Sequence, residues 1–530
     1  MKAGLKRGLR IGLITAAGLI LFALAAAMLA LRASLPRVDG EVNLAGLSAP
    51  VAIERDAAGA PVIRGATRED VARATGYAHA QDRWFQMDLL RRTAAGELAE
   101  LLGPALLDSD KRIRLHQFRK RAVLSLAALN PVGRKLLEAY TAGVNSALAD
   151  SRMRPFEYLL LRAKPAPWCA EDTLLVVYAM WIDLQGLEDR SEQQNGLLAA
   201  TLPKALFELL KEGDPEWDAP LDGSRLPQVP MPVPADVDLR QLDPALFNQI
   251  TANVPDRDPQ SMVGSNNWAL AGSHTASGRA LVANDMHLTL RVPIIWYRAR
   301  LVVESDQIDV TGVSLPGVPG VIAGSNGHVA WGFTNSYGDF QDLVTVVPAS
   351  DADGYLTADG PRKTETDIEV IHVAGGPDEG LPVRNTIWGP IIARGADNRE
   401  LALAWTAHDP EATDMALLGL EHARNIDEAA AIIGGAGMPG QNVMVGDDSG
   451  RIGWVLSGRL PQRRGYDPAR PADWSTKDTG WDGWVPRDDS PRILDPPDGR
   501  AWSANARVVG GELLATIGDG GYATPSRARQ

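Results

Sequence analysis

Between Ile11 and Leu31 the chain runs for 21 residues without a charge, directly after Lys2, Lys6, Arg7 and Arg10. As a helix at 1.5 Å per residue this run reaches about 31 Å, the thickness of a bilayer's hydrocarbon core. The core of a soluble domain seldom takes such a segment at a chain start, so it reads as an export signal or a membrane anchor. Small-residue steps at Ala25-Ala26-Ala27 and Ala33-Ser34 suit cleavage, whereas the length suits an anchor, and both readings stand. In either case the basic end stays in the cytoplasm and everything after about Arg32 lies on the far side, free in the periplasm or anchored facing it.

After Leu35-Pro36 the sequence is that of an ordinary globular protein. Lys and Arg total 53 against 66 Asp and Glu, a formal charge of −13. With no basic block beyond the first ten residues, nucleic acid is excluded as a partner. A hydrophobic fraction of 45 % with 22 % charged excludes a disordered chain. The single cysteine, Cys169, excludes an intramolecular disulfide framework or a multi-cysteine zinc site.

The pattern along the chain then changes twice. Residues 50–64 (PVAIERDAAGAPVIR) predict a hairpin around Asp-Ala-Ala-Gly. Thr67 and Asp70 predict the start of a helix that runs to a stop at Gly103, with further helices over 131–149, 171–186 and 192–212. From Pro220 to Pro259, prolines at 227, 230, 232, 234, 244 and 255 interrupt every periodicity, which predicts an exposed, flexible linker. After Gly264 short apolar runs punctuated by Gly, Asn and Asp predict strands, with one helix near 412–434. The expected division is therefore 1–35 signal or anchor, 36–219 helical α segment, 220–264 spacer, and 265–530 β segment.

Several familiar chemistries fail on inspection: no serine is followed at three residues by Lys, and there is no G-x-S-x-G, no H-E-x-x-H and no Gly-Lys step. What remains is Gly264-Ser265 at the junction between linker and β-rich half. A serine that becomes a chain terminus carries its own base, because a free α-amine with a pKa near 8 takes the hydroxyl proton. Glycine before it permits the strained backbone in which Oγ attacks the preceding carbonyl.

The chain resembles the penicillin acylase family of N-terminal-nucleophile hydrolases, which includes cephalosporin and acyl-homoserine-lactone acylases. The resemblance runs from about Val51 to the end. It is carried by RDAAGAPVI, GYAHAQDRWFQMDLLRRTAAGELAELLG, EAYTAGVN, GSNNWALAG, VAWGFTNSYGDFQDL, QNVMVGDDSGRIGWVLSGRLPQR and AWSANAR, in that order. It implies an α+β fold, a four-layer αββα sandwich with Ser265 opening a central strand. It also implies a precursor that cuts itself at Gly264-Ser265 into α and β chains that stay associated. The implied activity is hydrolysis of a small-molecule amide, a β-lactam or N-acyl compound, through an acyl-enzyme, with no cofactor for catalysis.

Within that resemblance Ser265 corresponds to the nucleophile and its freed amine to the base. Asn505 corresponds to the side-chain donor of the oxyanion hole and Asn335 to the residue whose backbone N–H completes it. His287 stands where relatives place His or Gln beside the serine, and Arg527 corresponds to an arginine that orients the asparagine and the terminal amine. Asp339, Gln341 and Asp342, with Glu192 from the α segment, match a structural Ca²⁺ site of hard oxygen ligands. The positions aligned with an aromatic phenylacetyl pocket read Gly186, Leu288 and Ala323, which implies a wider apolar cavity suited to a longer acyl chain. Relatives continue well past the equivalent of Arg527, so the resemblance implies a C-terminally incomplete sandwich that is aggregation-prone or weakly active when expressed alone. Two other readings stay open: an anchored, non-catalytic β-rich binding module, and an uncut serine amidase using His287 as its base.

Overall fold

The computed structural model describes residues 2–150, 153–186, 188–212, 215–233, 235, 237, 238, 240, 264–351, 353–518 and 525–530. Helices dominate before Glu212 and strands after Asn266, so the protein is of mixed helix and sheet.

The predicted hairpin pairs Ala52–Arg55 with Pro61–Gly65, its turn closed by the Asp56 carboxylate, which accepts from the N–H groups of Ala58 and Ala60 at 2.8 and 2.9 Å. Pro61–Gly65 then pairs in parallel with Tyr297–Val303. The hairpin thus forms the edge of a nine-stranded sheet that continues through Ile308–Ser314, Val321–Ser325, Val329–Asn335, Gln441–Asp447 and Ile452–Leu456 to Arg492–Leu494. A smaller sheet places Asn266–Leu270 between Arg500–Ser503 and Leu281–Asp285. Polar side chains join the two sheets: Asn267 Nδ2 donates to the carbonyls of Gly332 and Asn442 at 2.9 and 3.0 Å, and Asn284 Oδ1 accepts from Phe333 N–H at 3.0 Å. Buried donors and acceptors at that junction cost free energy unless paired, so these asparagines fix how one sheet sits on the other.

The long helix begins as expected, with the Thr67 hydroxyl accepting from Asp70 N–H, but it ends at Ala95 rather than at Gly103. Gly96 takes φ +64, and a Cβ there would come within 2.9 Å of the Asp110 carbonyl. The Asp110 carboxylate accepts from Leu98 and Ala99 N–H at 3.1 and 2.6 Å and starts a separate short helix, Ala99–Leu102. Arg68–Ala95 also carries charges inward. Asp88 meets Arg91 at 2.7 Å and Arg92 at 3.1 Å, and Arg91 reaches Asp172 on the helix Ala170–Gln185 at 2.5 Å. Against Pro131–Asp150 it crosses at two glycines, where a Cβ on Gly143 would stand 1.8 Å from the Arg73 carbonyl and one on Gly76 2.3 Å from that of Tyr140. Both obstacles are backbone, so Gly143→Ala must push the helices apart. It is expected to lower stability by about 1–3 kcal/mol, read as a drop in the thermal midpoint.

Two other expectations are modified. The first part of the proline-broken segment is docked: Leu221 N–H donates to the Val508 carbonyl at 2.7 Å, Arg507 Nη2 donates to the Ser224 carbonyl at 3.1 Å, and Asp222 accepts from Gly510 N–H at 2.8 Å. Proline stops a helix without preventing a strap from packing. The stretch 241–263, with Pro244 and Pro255, lies outside the described residues. The single helix expected near 412–434 is two, a 3₁₀ turn Ala416–Glu421 and a helix Ile426–Ile433 capped by the Asn425 side chain.

Candidate active site

Strand register assembles the site. Ser503 pairs with Asn267 across the small sheet, so two residues further along Asn505 stands opposite Ser265. On the other side Asn266 pairs with Asp285, and two residues on Gly264 faces His287, donating its N–H to the His287 carbonyl at 3.1 Å. The Gly264–Ser265 bond is therefore flanked by Asn505 and His287, while Asn335, last residue of its strand in the large sheet, faces it from across the junction.

Ser265 is buried, with 6 % of its surface exposed. Its Oγ accepts from Asn335 N–H at 3.2 Å, and Asn505 Nδ2 lies 3.5 Å away. One backbone and one side-chain donor thus stand beside Ser265 Oγ, near where the oxygen of a carbonyl attacked by that hydroxyl would come to lie. Asn505 is held at both ends of its amide. Nδ2 donates to the Asn335 carbonyl at 2.9 Å, while Oδ1 accepts from Ser265 N–H at 2.8 Å and from Arg527 Nη2 at 2.7 Å. Its φ of +64 is a left-handed conformation that asparagine tolerates better than most residues.

Arg527 lies against the same bond. Its Nη1 donates to the Ser265 carbonyl at 3.3 Å, to Asn266 Oδ1 at 3.1 Å and to His287 Nε2 at 3.1 Å. A Cβ on Gly264 would fall 2.7 Å from the guanidinium, so glycine there leaves room for the cation. His287 is consequently tied to Arg527 through Nε2, while Nδ1 lies 3.3 Å from Asp285 Oδ2 without hydrogen-bond alignment. The hydrogen bonds at Ser265 Oγ come from Asn335 and Asn505, not from the imidazole.

Beside Ser265 opens a cavity of about 120 Å³ walled by aliphatic and methionine side chains, among them Val177, Met180, Leu184, Leu288, Ile322 and Met438, with Trp296 and Phe333 as its aromatics. Of the three positions expected to shape it, Leu288 does. Gly186 instead ends the helix Ala170–Gln185, and Ala323 is buried in the large sheet, where alternation turns Ile322 to the cavity in its place.

The expected calcium ligands are arranged around a cation of the protein's own. Arg463 donates to Asp342 Oδ2 at 2.8 Å and to Asp339 Oδ1 at 2.9 Å, while both Glu192 oxygens accept from Leu343 N–H at 2.8 Å. Gln341 turns its amide to the Gln185 carbonyl at 2.8 Å. Burial, and then the nearby charges of Asp342 and Asp339, push the Glu192 carboxyl well above its usual range. As these side chains stand they do not fit a divalent ion: among the described residues no three His, Cys, Asp or Glu side chains converge to chelate one. Asp342 and Asp339 are 1 % and 5 % exposed, so Arg463→Leu would leave two buried carboxylates without their cation. It is expected to cost about 3–5 kcal/mol, measurable as a lowered urea midpoint.

Sequence reasoning passed over Gln441. Its Nε2 donates to Asn335 Oδ1 at 3.0 Å, and Asn335 Nδ2 donates to the Leu184 carbonyl at 2.9 Å, so Asn335 is locked from both sides. The available signal was two amides, Gln441 and Asn442, directly ahead of the apolar run Val443-Met444-Val445.

Residues 50–530 match the family model described as Penicillin amidase. The chain is 32 % identical over 487 residues to Penicillin acylase 2 proenzyme of Pseudomonas sp. (strain SE83), an alignment covering 91 % of this chain and 61 % of that protein. It is 30 % identical over 525 residues to Acyl-homoserine lactone acylase QuiP of Pseudomonas aeruginosa, covering 94 % and 59 %. It thus spans about three fifths of the length of these relatives. Among solved structures, thermostable Penicillin G acylase from Alcaligenes faecalis in orthorhombic form aligns at 25 % identity and a TM-score of 0.41, over 47 % of this chain and 45 % of that one.

Proposed function

The chain belongs to the penicillin amidase family, and from that membership we propose that it is an amide hydrolase whose nucleophile is Ser265, freed as a chain terminus by self-cleavage of the Gly264–Ser265 bond. The observation that carries this reading is the convergence of Asn335 N–H and Asn505 Nδ2 on Ser265 Oγ beside an apolar cavity. In the uncut chain Oγ attacks the Gly264 carbonyl carbon, the C–N bond breaks and the nitrogen leaves as the Ser265 amine, and water hydrolyses the resulting ester. The freed amine then serves as base toward the substrate, with Asn505 and Asn335 holding the oxyanion and Arg527 keeping the amine in place.

The substrate is a small-molecule amide whose acyl group is apolar, an N-acyl compound or a β-lactam. The mainly aliphatic wall supports an extended acyl chain over a phenylacetyl group. The α and β chains stay associated, in keeping with the bonds from Leu184, Gln185 and Asp218 to residues beyond Ser265. The two joined sheets with helices packed on them agree with a four-layer sandwich, and the N-terminal helix with a periplasmic or periplasm-facing location. Calcium at Glu192, Asp339 and Asp342 would require Arg463 to swing away.

The deciding experiment is intact mass and N-terminal sequencing of the purified protein. Two chains, one beginning at Ser265, are expected; a single uncut chain with amidase activity would favour the His287-based alternative, and one without activity the binding module. The tie between His287 and Arg527 disfavours the former. The α-amine base also sets the pH profile: turnover should rise with a midpoint near 7–8, displaced downward by the Arg527 cation. A profile flat from pH 6 to 9 would remove the amine from the mechanism.

A further inference from the structure

The helix Lys2–Ser34 contains a 28-residue stretch, Arg7–Ser34, long and apolar enough to cross a bilayer and not buried in the rest of the protein. Three residues past Ser34 the Arg37 carbonyl accepts a hydrogen bond from Gln81. Fully extended, those three residues reach about 10 Å, so the helix that carries Gln81 is held close to where the chain leaves the membrane. On that same helix Arg83 Nη1 and Gln86 Nε2 donate to the Ile294 carbonyl at 2.6 and 3.2 Å. Gln86 is five residues from Gln81 across the break at Arg83 (φ −140, ψ 18), at most about 17 Å away.

Ile294 closes a loop in which Leu290 is 88 % exposed, Val292 102 % and Ile294 45 %. Three bare apolar side chains in five residues, with the exposed Arg291 among them, are not what a water-facing turn requires. The loop also borders the cavity beside Ser265, which takes Met286, Leu288 and Trp296 from its two ends. The exit of the membrane-length helix, the apolar loop and one wall of the cavity therefore share one face of the molecule.

We propose that loop 288–294 seats in the headgroup layer of the bilayer that holds the N-terminal helix, so that the cavity at Ser265 receives amides whose acyl chain is dissolved in lipid. This deepens the proposed function and rests on it for the substrate, but not for the membrane contact. The occupant is a lipid surface because the tether leaves the loop within reach of one. The whole chain is acidic, and Asp39, Glu41 and Asp285 border the same exit and loop, but Arg32 and Arg37 at the helix exit and the exposed Arg291 in the loop supply cations for headgroup phosphates.

The test uses the full chain with its lone thiol removed (Cys169→Ser), Val292→Cys labelled with an environment-sensitive nitrobenzoxadiazole dye, and insertion into phosphatidylcholine–phosphatidylglycerol vesicles. A blue shift and quenching by lipids spin-labelled near the headgroup are expected. A label at Ile368 should stay water-like, because its hairpin contacts Arg114 beside Gly96, at the far end of the helical run Trp84–Ala95, which is about 18 Å long. Water-like emission at position 292 in inserted protein would overturn the contact. So would a blue shift that needs no lipid and grows with protein concentration, which would assign the loop to a second copy. Neither readout needs turnover, so a failure of the amidase reading shows separately. For the substrate, Leu290→Ser with Val292→Ser should raise KM for a long-chain N-acyl amide in vesicles about tenfold and leave KM for a short soluble amide unchanged. Equal effects on both substrates, or none, would overturn the lipid route.

Discussion

Ser265→Ala is expected to give a single uncut chain with no amidase turnover. In the proposed reaction two successive events need the same oxygen. Self-cleavage requires Oγ to attack the Gly264 carbonyl, and substrate hydrolysis requires both Oγ and the amine that cleavage releases. Loss of a serine nucleophile alone typically costs on the order of 10⁶-fold in kcat, and here the base is lost with it. Folding should survive, because the strand pairings and the Asn505 contact to Ser265 N–H do not use the hydroxyl. A gel showing two chains from purified Ser265→Ala, in the absence of other proteases, would move the nucleophile elsewhere. Ser265→Cys separates the two events: it should cut itself yet hydrolyse amides poorly, since the larger sulfur sits less well between Asn335 N–H and Asn505 Nδ2.

The second large effect belongs to Asn505. Its side chain donates toward Ser265 Oγ and accepts from Arg527 and from Ser265 N–H, so Asn505→Ala removes the proposed oxyanion donor together with an acceptor of the Ser265 nitrogen. Turnover should fall by roughly 10²–10³-fold, with a much smaller change in KM because the apolar cavity is untouched. Self-cleavage should slow as well, its tetrahedral intermediate using the same donor. Asn505→Asp is the informative companion. It keeps the acceptor for Arg527 but loses the Nδ2 donor and sets a negative charge against the oxyanion, so it should be at least as poor in steady-state turnover. Wild-type kcat in Asn505→Ala would place the hole at other donors.

Much of this was legible in the residues because the signals are local. An uncharged run of membrane length, a hairpin with its Asp and Gly, a Thr cap, and a serine after glycine between two differently patterned halves depend only on neighbouring positions. The end of the long helix was not legible. Gly103 reads as the stop, whereas Gly96 caps the helix in the left-handed conformation, and Asp110, fourteen positions later, leaves no room there for a Cβ and starts the next helix. Likewise Asp88, Arg91 and Arg92 look like a solvated face until Asp172 and Tyr158 arrive from elsewhere in the chain to pair with them.

The site divides the same way. From its sequence alone the chain determined which side chains were available: Ser265 with its glycine, the asparagines at 335 and 505, His287 and Arg527, each in a motif of its own. Tertiary structure decided which of them act on one another. Register across the small sheet sets Asn505 opposite Ser265, and Gln441 locks Asn335. Arg527 takes the His287 ring that an independent general base would need, and Arg463 stands among the carboxylates where sequence suggested calcium. The physical reason is range. Backbone propensity and capping act over a few residues, whereas a hydrogen bond or ion pair between residues 240 apart exists only once the sheets have closed, and its partner cannot be read from either end.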